Sequence, residues 1–370
     1  MEIISLLETL TRTAGLSGFE QTIRREVRAA WGSHVDEMRT DTLGNLIALK
    51  RGNIGMGDAG RGGPGPSRLK VMLASHMDEI GLMVTRIRGS FLSITEVGGV
   101  DQRLLLGQPV LVHGRRELPG VIGSRPPHIL TAGERDKLVP WDELIVDVGL
   151  PAEEVAELVR IGDVISFRQE LRELMSGRVS AKALDNRASI AAIAVCLEAL
   201  QSRTHSWDVF AVATVQEEET MGGAMTSTYG VEPDVGIAVD VTHGDGPGIS
   251  DAEAFPLGKG PTIGYGPSNH PGVHQELVDA AKAIELPYHV EAMPRGGGTD
   301  AWAMEVVRSG VPTGVVSIPI RHMHMPVEVV AVKDIERAGR LLAEFVTRLD
   351  ESFLTERLAW DKLPIQEKGK

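Results

Sequence analysis

Four short apolar runs, each closing on a side chain able to bind a metal ion, constrain this chain more than any other feature of its sequence. LKVMLA (Leu69 to Ala74) leads to His76 and Asp78, and VFAVATV (Val209 to Val215) leads to Glu217 and Glu218. VGIAV (Val235 to Val239) leads to Asp240, and GVVSI (Gly314 to Ile318) to His322 and His324. One His or Asp after a strand carries little information. Four such endings fit a parallel sheet whose carboxyl edge gathers carboxylates and imidazoles, the edge at which open α/β sheets place their ligands. The predicted class is α/β, with a mixed, mostly parallel sheet flanked by helices.

The rest of the chain agrees with that class. Ile3, Leu6, Leu7 and Leu10 predict a helix over 3–15, and a second follows the Ser17-Gly18 turn. Later, helices over 186–202, 272–285 and 333–349 alternate with strands over 208–215, 235–240 and 313–318. Between about Thr85 and Glu170 the texture changes to short β-type runs (FLSITEV, PVLVHG, GVIGS, ELIVDVG, DVISF) broken by Gly, Pro and charged turns, with PAEEVAELVR a helix among them. The chain thus leaves the α/β unit soon after His76 and Asp78 and returns to it with Asp185. Residues 1–84 and 176–355 are expected to form a discontinuous catalytic domain and 85–175 an inserted β domain. Residues 52–68, rich in glycine, read as a flexible loop, and 356–370 as a C-terminal tail. A length of 370 residues suits two domains of about 100 to 200 residues each.

Composition excludes several classes. Hydrophobic residues at 42% and charged residues at 24% are ordinary for a globular protein, which argues against disorder and membrane residence. The longest apolar stretch, Ala188 to Leu200, contains Ser189 and Glu198 and is shorter than the roughly 20 residues that cross a bilayer, so it predicts a buried helix. The N-terminus carries Glu2 and Glu8 without a basic start or small-residue cleavage site, so a cytoplasmic location is expected. The single cysteine, Cys196, falls in the apolar stretch and is expected to be a small buried residue. A formal net charge of -13 would repel phosphates, so no nucleic-acid partner is expected.

The residue types at the run ends point to hydrolysis. His76 and Asp78 stand two apart and share a face of a strand, so the carboxylate can orient the imidazole. Glu217 and Glu218 are adjacent and diverge on an extended chain unless a turn intervenes. That disfavours a glycosidase pair, whose carboxylates face one sugar about 5 to 10 Å apart, and permits one to hold a metal while the other serves as base. Asp240 ends an apolar run, where burial requires a cation or backbone hydrogen bonds. Asp185 precedes the buried helix, a place also natural for a helix cap. Histidines and carboxylates without a usable cysteine suit zinc, cobalt or manganese in a hydrolytic site.

The segments SHMDEIG, ALDNR, TVQEEETMGGA, AVDVTHGDGPG, GGGTDA and RHMHMPVEVV, in this order, resemble the M42 family of dinuclear metallo-aminopeptidases. That family includes glutamyl and deblocking aminopeptidases and the tetrahedral particles. The likeness runs along nearly the whole chain and takes in GVIGSRPPH of the inserted domain. It implies a dinuclear zinc exopeptidase-like fold with a small β-barrel-like insertion, and two divalent ions per subunit, zinc or cobalt first and manganese next. One ion would be held by His76, Asp185 and Asp240, the other by Asp185, Glu218 and His324, with Asp185 bridging. Glu217 would be the general base and Asp78 the partner of His76. Gly298, Thr299, Asp300, Arg321 and His322 would shape the substrate pocket. Peptides would be the substrates, and the insertion would mediate assembly into dimers and a dodecamer. A metallo-carboxypeptidase or deacylase on the same core, or a non-catalytic metal-dependent scaffold, are the competing readings. The chain departs from the family at His322, where tyrosine is usual, at Met325, where serine is usual, and at Glu219-Thr220, where Val-Gly is frequent.

Overall fold

The computed structural model describes residues 2–53, 68–250, 253–296 and 298–362. Most of the glycine-rich segment expected at 52–68, and 363–370 of the tail, lie outside the described residues.

The apolar runs form the centre of an 11-stranded sheet. Asp208–Thr214, Lys70–His76, Val235–His243 and Thr313–Arg321 lie side by side and parallel. Antiparallel strands continue the sheet outward, Leu46–Lys50 and Glu37–Thr40 on one side and Glu328–Ala331, Arg178–Ala181 and Arg172–Leu174 on the other. The central strands are buried on both faces, which is why they read as continuous apolar runs rather than alternating ones. Val71 and Leu73 point into the larger core with the Leu184–Ala199 helix, while Met72 and Ala74 point to the other side, against Ala224, Ala303 and Met304.

On the first side the predicted buried helix appears as Leu184–Ala199, packed against Val332–Arg348. The two backbones approach at Gly339, where a Cβ would stand 2.5 Å from the carbonyl oxygen of Ala192, so this crossing requires glycine. Cys196 is fully buried in this helix, and burial pushes its thiol pKa up to about 12, consistent with an inert packing residue. Trp31 is also fully buried and donates its indole N–H to the carbonyl of Ile190 at 3.3 Å. On the second side the short helices Gly222–Val231 and Asp300–Glu305 cover the sheet. Sequence periodicity had not marked them, because both are rich in Gly, Ala, Ser and Thr or too short to show a stripe.

From Gly81 to Phe167 six strands close into a barrel, in the order Gly81–Arg88, Phe91–Val97, Ile145–Asp147, Glu117–Gly123, Pro109–His113 and Val164–Phe167. The barrel has its own core of Leu82, Leu92, Val110, Val146, Ile165 and neighbours. It departs from the sheet a few residues after His76, and the chain re-enters the α/β part through the hairpin Arg172–Leu174 and Arg178–Ala181, shortly before Asp185. Among the described residues no helix is long and apolar enough to cross a membrane.

Candidate metal centre

The parallel register brings the run ends together. Ala74 pairs with Ala238, so two residues further His76 and Asp240 come level, and His76 Nε2 stands 3.8 Å from Asp240 Oδ1. Asp185 reaches both imidazoles, with Oδ1 3.2 Å from His76 Nε2 and Oδ2 3.3 Å from His324 Nε2. Glu218 Oε2 is 3.3 Å from the same His324 nitrogen. Two groups of potential ligands result, His76 with Asp185 and Asp240, and Asp185 with Glu218 and His324, the donor atoms within each lying no more than 4.8 Å apart. Asp185 belongs to both.

Asp185 does not act as a helix cap. Its backbone (φ -76°, ψ 102°) is not helical, the N-cap position is Ala183 without a side-chain cap bond, and the Asp185 side chain turns to the two histidines. Glu217 and Glu218 do not diverge, because Gln216 adopts a left-handed φ of 58° and starts a turn. The turn closes with the Gly223 N–H donating to the Val215 carbonyl at 3.1 Å. A Cβ on Gly223 would sit 2.3 Å from that same oxygen, so glycine is required. Asp78 fixes the two glutamates from below by accepting both their amides, each at 3.1 Å. Its Oδ1 also lies 3.4 Å from His76 Nδ1, an ionic contact rather than a formed hydrogen bond. Against its burial, His76 and the two amides hold the Asp78 carboxyl below the usual range.

A second carboxylate of this kind had escaped sequence reasoning. Glu328, fully buried, accepts the Asp185 amide at 2.9 Å and the His324 amide at 3.1 Å, so it ties together the segments that carry two of the clustered side chains. Its signal was a lone acid inside the apolar run PVEVV. Glu219, where the chain departs from the M42 pattern, accepts the Gly98 amide at 2.7 Å and so links the barrel to the edge of the site.

The electrostatics fit a cationic occupant. Burial first, then the charge of Asp185, pushes the Glu218 carboxyl well above its ordinary range, and burial does the same to Asp240. Burial also raises Glu217 to about 7, against the opposing pull of His76. Burial works against protonated His76, but Glu217, Asp185 and Asp78 outweigh it and hold its pKa well above the ordinary value. Apart from these imidazoles, no lysine or arginine ion pair reaches the cluster among the described residues. So many buried carboxylates without a fixed cation are costly, and divalent ions would relieve that cost.

The cluster forms the floor of a cleft of about 600 Å³ walled in part by Val241, Glu291, Met293, Trp302 and Met323. Of the pocket residues expected from the sequence, Gly298 and Thr299 line this cleft. Asp300 turns into the core, where Thr214 Oγ1 donates to it at 2.6 Å and burial raises its pKa to about 6. Arg321 is held by Asp245 at 2.6 Å and His322 is exposed, and neither lines the cleft.

Known proteins resemble this chain along most of its length. The family described as M42 glutamyl aminopeptidase matches residues 59–341. A lysyl aminopeptidase of Pyrococcus furiosus is 36% identical over 93% of this chain and 96% of its own length. The structure of an aminopeptidase from the archaeon Desulfurococcus kamchatkensis superposes with a TM-score of 0.86 at 36% identity, covering 96% of this chain and 97% of that one. The TET1 peptidase of Pyrococcus horikoshii, described as able to assemble into a tetrahedron or a large octahedral shell, has a TM-score of 0.79 at 29% identity, covering 94% and 100%. The chain belongs to the M42 family of metal-dependent aminopeptidases, hydrolases that act on peptide bonds.

Proposed function

We propose that this chain is a dinuclear aminopeptidase that removes N-terminal residues from peptides, with Glu217 as general base. The observation that carries the reading is the pair of three-residue ligand groups that share Asp185. His76, Asp185 and Asp240 would hold one divalent ion, and Asp185, Glu218 and His324 the other. Imidazole and carboxylate donors without cysteine favour zinc or cobalt, with manganese next. A bound pair of such ions supplies Lewis acidity at a carbonyl and lowers the pKa of water.

The remaining work falls to the chain. Glu217, beside the ligand Glu218 and 3.7 Å from His76 Nε2, would take a proton from the attacking water and return it to the departing amine. Asp78 keeps Glu217 beside Glu218 by binding both amides. A free substrate α-amine would bind one of the ions or a carboxylate beside them, which makes the N-terminus the point of attack. Glu217→Gln is expected to keep its metal content and lose peptide cleavage, and retained cleavage in that variant would remove Glu217 from the base role. Acetylated peptides are expected to be resistant, whereas their cleavage would favour a deacylase or carboxypeptidase.

Residues 85–175 are read as the unit through which copies pair, in a dimer and then a dodecamer. Supporting this are the assemblies described for TET1 of Pyrococcus horikoshii and the exposed apolar side chains of Leu106, Val121, Ile129, Leu138 and Ile161. Light scattering that finds a monomer would contradict it.

A further inference from the structure

One carboxylate on the cleft wall has no part in the chemistry above. Glu291, on the strand His289–Ala292, lines both the cleft and an adjoining cavity of about 490 Å³. Thr242 Oγ1 donates to its Oε1 at 2.7 Å and Thr262 Oγ1 to its Oε2 at 2.6 Å. Both threonines are buried, so the carboxylate is fixed in place by two neutral donors. Among the described residues no lysine, arginine or histidine forms an ion pair with it. A carboxylate held rigidly, open to a cleft and lacking a cation of its own is a receptor for one.

Its position relative to the reacting centre follows from the sheet. Thr242 lies two residues beyond Asp240 on the same strand, hence on the same face and about 7 Å along it. Thr262 and Asp240 each pair with Ser317 on the strand between them, so all three side chains share that face. Glu291 therefore stands one side-chain length from the floor of the cleft. The cleft's apolar side chains include Met293, two residues beyond Glu291, together with Trp302 and Met323. A long aliphatic stem ending in a positive charge matches such a surface, the stem lying on these side chains and the charge meeting the acid.

We propose that Glu291 is a specificity-determining residue that selects peptides beginning with lysine or arginine and disfavours those beginning with an acidic residue. This rests on the site proposed above, since it assumes that the N-terminal residue is held over Asp240 and Asp185. The test is a panel of lysyl, arginyl, leucyl and glutamyl anilides with the metal-loaded wild type, Glu291→Gln and Glu291→Lys. In the wild type, kcat/KM for lysyl and arginyl substrates is expected to exceed the others. In Glu291→Gln the lysyl-to-leucyl ratio is expected to fall about 10- to 100-fold, the weight of a hydrogen bond to a charged partner. Glu291→Lys is expected to move preference toward the glutamyl substrate. A purely structural Glu291 would lower melting temperature and all four activities together, leaving the ratios fixed. That outcome, or a wild type preferring leucyl or glutamyl substrates, overturns the proposal. Failure of the site reading is separate, because it would appear as normal turnover by Glu217→Gln whatever Glu291 does.

Discussion

Two buried acid clusters lie next to each other in this protein, and they are neutralised in opposite ways. Asp78 and Glu79 are adjacent in sequence and both are buried. Asp78 belongs to the cluster of His76, Asp185, Glu217, Glu218 and Asp240, where the chain provides imidazoles but no fixed cation. Glu79 belongs to a cluster completed by the chain itself, with Lys182 Nζ at 2.5 Å, Arg187 Nη2 at 3.9 Å and the Gly15 amide at 3.0 Å. Arg187 also donates to the carbonyl of Leu10 at 2.8 Å, pinning the N-terminal helix. Lys182 and Arg187 flank Asp185 in sequence, yet their charges serve Glu79 instead. A buried acid placed for structure is given its counter-ion by the fold, while one placed for chemistry is left for an external ion to satisfy.

The strongest way to break this contrast is at the residue shared by both ligand groups. Asp185→Asn is expected to lose both metal sites together and to reduce aminopeptidase activity to background, with metal content per chain as the readout. Loss of only one ion equivalent would mean that Asp185 is not shared. The matching change in the other cluster is Lys182→Met, which leaves Glu79 buried without its closest cation. A cost of about 3–5 kcal/mol in unfolding free energy is expected, while metal stoichiometry stays near that of the wild type. Adding Glu79→Leu is expected to recover little of that loss, because it strips buried Arg187 of this carboxylate and the Gly15 amide of its acceptor. If Lys182→Met instead changed metal content with little effect on stability, the two clusters would be one electrostatic unit.

How much of this was legible in the sequence differs between the same two clusters. The apolar runs ending in His76, Asp240 and the Glu217-Glu218 pair announced a sheet edge, since buried parallel strands are apolar along their whole length and polar residues can appear only where they stop. Asp185 was ambiguous, because an acid before a helix is equally a cap, and only the resemblance pointed elsewhere. That adjacent glutamates could face one site depended on the left-handed φ at Gln216, which no residue type there advertises. Glu79, Lys182 and Arg187 carry no spacing signal, since they meet only through tertiary folding. The barrel was legible as a β texture, but its closure depends on pairing between Phe91–Val97 and Ile145–Asp147, far apart in sequence.

A smaller effect is expected where the contrast is mediated rather than direct. Glu328 belongs to neither ligand group and is tied to them through the amides of Asp185 and His324. Glu328→Gln keeps the size of the side chain but presents one acceptor oxygen to two donors. Metal affinity is expected to fall about 10- to 100-fold, as is usual when a partner of the ligands is altered, with near-normal activity recovered at saturating metal. Unchanged affinity would make Glu328 a structural acid of the same kind as Glu79.

The last expected difference is one of sign, in the pH dependence of the metal-free and metal-loaded protein. In the metal-free chain burial raises Glu217 from 4.5 to about 7 and Asp300 from 3.8 to about 6. Between the ordinary and the raised values the folded chain binds more protons than the unfolded one, so stability falls as pH rises through this window and is regained on acidification. Protonated His76, whose pKa is also raised, acts in the same direction. Asp78 and Asp185, both held low, act in the opposite direction, and their contribution is lost only as pH drops below the ordinary carboxylate range. Chelator-treated protein is therefore expected to gain stability, on the order of a few kcal/mol, between pH 7.5 and pH 5. Metal-loaded protein is expected to lose it over the same interval, because protons then compete with the ions for the same oxygens and nitrogens. Urea titrations at the two pH values, with and without chelator, read the sign directly. Parallel pH dependences in the two forms would mean that the cluster is neutralised without metal, and the distinction between the two acid clusters would disappear.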